Sequence, residues 1–548
     1  MPTVTLDKKQ VLKHIGKNFS DKQLEERIPL IGVDLEEINN NEIITEIFPD
    51  RPDMMSEAGF GRALRSFFDV KLGLKKYKIV KSKERVIVDK NLKNVRPYTA
   101  VALVKGLNFN DEKIKEVVQL QEKLHVTYGK NRQRCAIGIY PFENIKTPIR
   151  FKAMKPEEIV FKPLDSNKEM NGYEILDNHP KGKEYGYLLK KYKNYPVFID
   201  SDNRILSLTP IINSEYTGRV TSSTKDVFVE VSGHNYEICK GCLNMIVSAL
   251  SDMGGKVNSM SLEYPGKKIN SPDLNPEKFN ISKNYLNKIV GMDLTDSNLK
   301  KYLGRMGYEV KGNTVYIPAY RVDILHQIDI AEDIAVGYGY DQFNEEIPRV
   351  STLGQEDKFE KFKGKLANVL VGLNFLESYT FSLSNTERLN YKMGTELNVV
   401  RLKNALTEDY NSLRNWMIPS LLEVLSNNKH HEYPQNLFEI GSVFLKGKSE
   451  TGVFEEDRLC VVLCHSKANF TESKQVLDSV LGSLGVNFKI KEGDHKSFIP
   501  GRVGDVIVGN KKIGVIGEVH PSVLTSWDLD MPVSCFELDA KALFGLLK

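Results

Sequence analysis

The chain has 548 residues, 41% of them hydrophobic and 27% charged, enough for about three or four cores at roughly 150 residues per domain. That composition excludes a wholly disordered chain. Lys+Arg 76 against Asp+Glu 72, a net charge of +4, excludes a general polycationic coat for nucleic acid but leaves room for a local basic patch.

The first segment reads as mixed α/β. Two prolines make Pro49-Asp50-Arg51-Pro52-Asp53 a rigid turn, and Ser56 is a good N-cap for a helix running to Asp69. A basic run follows from Lys75 to Arg96, with nine Lys/Arg against Glu84 and Asp89. It reads equally as a phosphate-contacting stretch and as a solvated linker, and it marks the clearest seam in the chain. Beyond it, strands are predicted from Tyr98 to Val104, Ala136 to Tyr140, Val197 to Ile199 and Val227 to Val231. Helices are predicted from Ile114 to Leu124 and from Asn235 to Met253.

A compact helix–hairpin–helix unit comes next. Thr295 caps a helix whose Leu299, Tyr302, Leu303 and Met306 form one stripe, with Gly307 at its end. Lys311-Gly312-Asn313 is a hairpin signal between two short strands, and a second helix is predicted from Ile324 to Val336. The last third opens with a helix from Phe359 to Leu370, stopped by Gly372. Strands near Glu377 to Leu383, Asn398 to Leu402, Leu437 to Phe444 and Leu459 to Cys464 alternate with helices after Pro419 and from Ser473 to Leu484. The expectation is an α+β multidomain chain with domains at 1–88, 89–268, 269–347 and 348–548.

No apolar run approaches the ~18–20 residues of a membrane span, and Met1 to Gln10 is too polar for a secretory leader. The six cysteines are few and scattered, which points to a reducing compartment. Cys239-Lys-Gly-Cys242 lacks the second ligand pair of a zinc site and reads as two cysteines one turn apart on a helix.

Two constellations carry chemistry. Asp329, Glu332 and Asp333 share a helix face at i, i+3 and i+4, with Asp323 near the helix start. Their repulsion needs water, a Lys/Arg partner or a hard cation to offset it, and oxygen-only donors favour magnesium or calcium. A solvated acidic face is the equal alternative. In Val227-Phe228-Val229-Glu230-Val231-Ser232, period two puts three valines on a core face and Phe228, Glu230 and Ser232 on the other. That second face suits water, the commoner case, or a polar pocket. Gln121, Arg132 and Ser207 lie in the same expected domain.

Three decoys drop out. No glycine-rich loop ends in Gly-Lys-Ser/Thr, and His430-His431-Glu432 lacks the spacing of a zinc protease. Gly59-x-Gly61-x-x-x-Arg65 imitates an ATP-site signature of class II aminoacyl-tRNA synthetases but precedes any sheet able to carry its companions.

Taken in order, the motifs resemble the β subunit of phenylalanyl-tRNA synthetases of the archaeal/eukaryotic cytosolic type. They are Phe48-Pro49-Asp50-Arg51-Pro52-Asp53, Gln121-Glu122-Lys123-Leu124-His125, Ala136-Ile137-Gly138 and Pro210-Ile211-Ile212-Asn213. Pro318-Ala319-Tyr320-Arg321-Val322-Asp323-Ile324 through Glu332-Asp333 is the most specific, followed by Leu413-Arg414, Phe438-Glu439-Ile440-Gly441 and Gly517-Glu518-Val519-His520-Pro521. The resemblance implies an α2β2 enzyme that joins phenylalanine to tRNA(Phe) with ATP, its synthetic site in the α subunit. It implies that 348–548 is a class II synthetase-like antiparallel sheet domain without catalytic motifs. It assigns magnesium to Asp323, Asp329, Glu332 and Asp333. It also implies an editing site that hydrolyses Tyr-tRNA(Phe), lined by Gln121, Arg132, Phe198, Ser207, Glu230 and Ser232. A cytoplasmic chain follows, too short for the extra domains of bacterial β subunits.

Overall fold

The computed structural model describes residues 2–348 and 350–547. It divides into two compact units, Met1–Ile347 and Pro348–Lys548.

The first unit begins with an antiparallel three-stranded sheet of Thr3–Asp7, Glu42–Glu46 and Asp34–Ile38. The helix Glu57–Phe67 starts where expected, with the Ser56 hydroxyl accepting from the Gly59 amide at 3.1 Å. The glycines of the ATP-site imitation are packing devices. A Cβ on Gly59 would lie 2.0 Å from the Asp53 carbonyl oxygen, and one on Gly61 would lie 2.5 Å from His14 Cβ.

A ten-stranded sheet forms the centre of this unit. Its strands and flanking helices, in chain order, are β1 (Val80–Val88), β2 (Tyr98–Lys105), α1 (Asp111–Val126), β3 (Cys135–Pro141), β4 (Ile149–Met154), β5 (Tyr195–Ile199), β6 (Ile205–Leu208), β7 (Ile212–Asn213), β8 (Val227–Gly233), α2 (Tyr236–Asp252), β9 (Lys256–Tyr264) and β10 (Lys267–Ser271). They lie in the order β7-β6-β5-β4-β1-β9-β2-β8-β3, with β10 on β9. Only the β9–β1 and β1–β4 pairs are parallel. The valines of β8 pack with Leu120 and Leu124 of α1 and Cys242, Leu243 and Ile246 of α2 in one core, as period two requires.

The basic run is neither linker nor free surface throughout. Much of it is β1, inside the sheet, and Arg96 is buried with its guanidinium on the Ser232 hydroxyl (3.0 Å) and carbonyl (2.6 Å). Cys239 and Cys242 lie on α2, buried and without a disulfide.

The helix–hairpin–helix segment forms as predicted. Thr295 and Asn298 make a reciprocal capping box, and Glu309–Lys311 pairs with Thr314–Ile317. The second helix starts three residues later than expected, at Gln327. His326 and Asp329 cap it reciprocally and fix its first turn there.

In the second unit a seven-stranded sheet runs Leu376–Glu377, Gln435–Lys446, Val453–Cys464, Val533–Asp539, Lys511–Val519, Phe498–Val508, Phe488–Glu492. All its pairs are antiparallel except the first. Along Val453–Cys464, Leu459, Val461 and Leu463 face a core with the helices Lys358–Gly372 and Phe470–Ser483. Cys460, Val462 and Cys464 face the opposite core with the helix Ile418–Asn427. Gly372 ends the first of these helices from inside it, and the chain reverses at Asn374, which takes a left-handed φ of 64°. The strand expected from Glu377 to Leu383 is two short pieces, Leu376–Glu377 and Leu383–Ser384, in different sheets. No helix among the described residues is long and apolar enough to cross a membrane.

Candidate functional site

A cavity of about 600 Å³ opens against the ten-stranded sheet, walled by α1, β3, β6, β7, β8 and stretches of the segment 164–181. β8 lies between β2 and β3 and is buried along its whole length. Its second face is therefore interior, not the watery edge that is commoner for such a pattern. Glu230 of β8 stands opposite Gly138 of β3. A Cβ on Gly138 would lie 2.3 Å from the Tyr140 hydroxyl oxygen and 2.6 Å from Glu230 Oε1. Glycine is what makes room for these two groups to meet.

The Tyr140 hydroxyl donates its one proton to Glu230 Oε1 (3.2 Å) and its oxygen lies 2.9 Å from Ser207 Oγ, which donates to it; Ser207 Oγ lies 3.2 Å from Thr209 Oγ1. Glu230 Oε2 is buried with no hydrogen-bond partner among the described residues. Burial pushes the Glu230 carboxyl up to about 8, against the opposing charge of Arg96 and the hydroxyls of Tyr140 and Ser232. At neutral pH it is therefore mostly a carboxylic acid, with one O–H to donate.

The opposite wall is built on helix spacing. His125 Nε2 accepts from the Ile137 amide (2.8 Å), which leaves the proton on Nδ1, 3.1 Å from Glu122 Oε1. Arg132 donates to the same Glu122 oxygen (3.0 Å) and to the carbonyls of Pro210 (3.2 Å) and Ile211 (2.8 Å). Desolvation works against the Glu122 carboxylate, yet the His125 hydrogen bond and the charges of Arg132 and Lys181 hold it down to about 2. Gln121 donates to the Ile137 carbonyl at 3.1 Å.

Of the six residues expected at an editing site, Gln121, Arg132, Ser207 and Glu230 line this cavity. Phe198 and Ser232 do not. Phe198 stacks on Phe151 at 4.2 Å in the core behind the wall, and Ser232 is fully buried on Arg96. Asn213, at the end of the Pro210-Ile211-Ile212-Asn213 motif, also lines it, as do Glu122, His125 and Thr209, to which the sequence alone assigned no role. The i, i+3 spacing of Glu122 and His125 was the available signal. Among the described residues, neither cavity histidine bonds a cavity serine: His125 is engaged as above, and His179 contacts Leu164 O and the Lys181 amide.

The acidic constellation is arranged differently. Arg321 donates to Asp323 through two nitrogens (2.8 and 2.6 Å) and to Asp333 (2.8 Å), and the Tyr308 hydroxyl also bonds Asp333. One Asp329 oxygen accepts from the Leu325 and His326 amides, both at 2.7 Å. An arginine and backbone amides thus offset most of the repulsion. Glu332 stays exposed, and its carboxyl is pushed up by desolvation and by Asp333, Asp50, Asp329 and Asp323. No group of three or more His, Cys, Asp or Glu side chains among the described residues is placed to hold a metal ion. The donors suit magnesium in kind.

Comparison with known proteins decides the family. A β subunit of phenylalanine–tRNA ligase from Thermococcus kodakarensis is 39% identical over 99% of both chains. The chain belongs to the phenylalanine–tRNA ligase β-subunit family. The Archaeoglobus fulgidus β subunit is 36% identical over 99% of each chain. Within this ligase β subunit, residues 279–340 match the family described as the tRNA synthetase B5 domain. Residues 344–540 match the phenylalanyl tRNA synthetase beta chain CLM domain. A solved N-terminal fragment of the phenylalanyl-tRNA synthetase β-subunit from Pyrococcus horikoshii covers 62% of this chain and 99% of its own, at 38% identity and a TM-score of 0.59.

Proposed function

We propose that this β subunit works in an α2β2 complex that attaches phenylalanine to tRNA(Phe) with ATP, and that its cavity removes tyrosine from mischarged tRNA(Phe). One observation carries the editing reading: a carboxyl pushed up to about 8, Glu230, held by Tyr140 on the wall of a cavity of about 600 Å³.

Tyrosine differs from phenylalanine by one hydroxyl. An apolar synthetic pocket rejects that addition only by about a hundredfold. A second pocket that hydrogen-bonds the hydroxyl selects the right way round, because a phenylalanyl group offers the Glu230 carboxyl no partner. Gln121 and Arg132 on the far wall are placed to orient the ester. The half-buried Lys181 and exposed Lys168 at the rim suit the phosphates of the tRNA end. With no serine–histidine pair among the described residues of this cavity, the nucleophile is a positioned water. It adds to the ester carbonyl, and collapse of the adduct releases tyrosine and the tRNA hydroxyl.

Partnership with α is supported by the second unit. There Tyr379, Phe381, Leu376 and Leu406 are 94%, 73%, 69% and 101% exposed, with Leu373 and Leu383 partly so. So many exposed large apolar side chains within one short stretch fit a protein interface. The synthetic site is assigned to α and the cytoplasm is the expected compartment. Magnesium is assigned to the Glu332 patch, with Asp323, Asp329 and Asp333 around it and the missing ligands supplied by water or the α chain.

The test is hydrolysis of Tyr-tRNA(Phe) by the αβ complex, wild type against Glu230→Ala and Ser207→Ala. Loss of hydrolysis in the variants, with phenylalanylation kept, is expected. Equal rates would sink the editing assignment and leave the chain a scaffold.

A further inference from the structure

Tyr140 does not line the cavity, yet it controls a group that does. It is fully buried, its ring packs on Phe228 (centroids 5.7 Å apart), and its hydroxyl reaches Glu230 Oε1 and Ser207 Oγ. The glycine opposite Glu230 keeps that contact open. A carboxylic acid has two oxygens and one proton. The oxygen that accepts a hydrogen bond from elsewhere is favoured as the carbonyl oxygen, so the proton goes to the other. Here the accepting oxygen is Oε1; Oε2 is buried, and the Ser232 hydroxyl also bears on the carboxyl, so Tyr140 and Ser232 together fix its orientation.

We infer that Tyr140 is the positioning residue for tyrosine specificity: its hydroxyl anchors Glu230 through Oε1 and so sets the orientation in which that carboxyl meets the phenolic oxygen of a tyrosyl ester. The inference rests on the editing reading above. Tyr140 makes no contact with substrate. It acts through Glu230, and through Ser207, whose hydroxyl it fixes from the same side.

Tyr140→Phe keeps the ring and its packing and removes only the hydroxyl. In the full complex with α, it should lower kcat/KM for Tyr-tRNA(Phe) hydrolysis about tenfold, the effect of one lost hydrogen bond to a positioned group. Hydrolysis of Phe-tRNA(Phe) should change less than twofold, so the selectivity ratio falls. A second readout separates positioning from packing. The Tyr140 hydroxyl favours the ionised form of Glu230, so its removal should move the alkaline limb of the pH profile, corrected for spontaneous ester hydrolysis, to higher pH. Gly138→Ala, which crowds both groups, should lower the selectivity ratio too.

If wild type leaves Tyr-tRNA(Phe) intact, the editing reading falls and takes this inference with it. If wild type hydrolyses it and Tyr140→Phe matches it in selectivity and alkaline limb, the Tyr140 assignment alone is overturned.

Discussion

The arginine of the Leu413-Arg414 motif is the natural suspect for an ATP contact in a synthetase-like unit, and the structure gives it a different task. Arg414 and Glu439 side chains are 2% and 1% exposed, joined at 2.8 Å. Thr380 Oγ1 donates to the second Glu439 oxygen at 2.7 Å, and Arg414 Nε donates to the Ser442 carbonyl at 2.9 Å. Neither residue lines a cavity described here. Glu439→Ala leaves a guanidinium buried without its counter-charge, which costs about 3–5 kcal/mol. For a unit of this size that is a fall in Tm on the order of 10 °C. Replacing both partners with apolar groups, Arg414→Met with Glu439→Leu, removes the unpaired charge and should recover most of the loss. The two tryptophans of the chain, Trp416 and Trp527, both lie in this unit, so intrinsic fluorescence during urea unfolding reports it selectively. A loss below about 1 kcal/mol in Glu439→Ala, or a double variant no more stable than the single one, would refute a structural ion pair.

Two further outcomes are expected. Burial raises Glu230 to about 8, and burial beside Glu57 raises Glu116 to about 8 as well, so the fold binds protons that the unfolded chain releases near the ordinary carboxyl value. Stability of the first unit should therefore decline as pH rises from about 4.5 to about 8, and Glu230→Gln should flatten part of that slope in thermal melts. Glu332→Gln should lower the magnesium bound by the αβ complex, measured by elemental analysis, without unfolding this chain. Unchanged stoichiometry would return the carboxylates to a structural role.

The period-two valines of β8, the Thr295 capping box and the Lys311-Gly312-Asn313 hairpin were legible because local spacing decides them. β1 was not. Lys81, Lys83 and Arg85 make it look like a linker, and only Val86 and Val88 are deeply buried. Its place in the sheet comes from parallel partners about sixty and 175 residues away. Alternation likewise put Glu230 and Ser232 on one face but could not say that the cavity stops between them, nor that Phe198 lies behind the wall. Spacing put Asp329, Glu332 and Asp333 on one helix face, and the structure leaves Glu332 exposed while Asp333 turns to a buried arginine. What offsets that charge depends on a turn before the helix, which brings Arg321 back onto Asp323 and Asp333.

That turn has a counterpart. Arg51 binds Asp53 through two nitrogens (2.8 and 3.0 Å), two residues on, as Arg321 binds Asp323. The two pairs feel each other: Arg51 and Arg321 repel, and Asp50 bears on Glu332. The N-terminal signature and the acidic signature, far apart in the chain, thus bring two Arg–Asp pairs near enough for their charges to act on one another. Pairs of this kind tolerate few substitutions, because removing one member strands the other in a desolvated interior. The segments that identify the family most sharply are therefore, apart from the magnesium proposed at Glu332, architecture. The proposed chemistry sits where the sequence is least distinctive, on one glutamate in a run of valines and one tyrosine behind it.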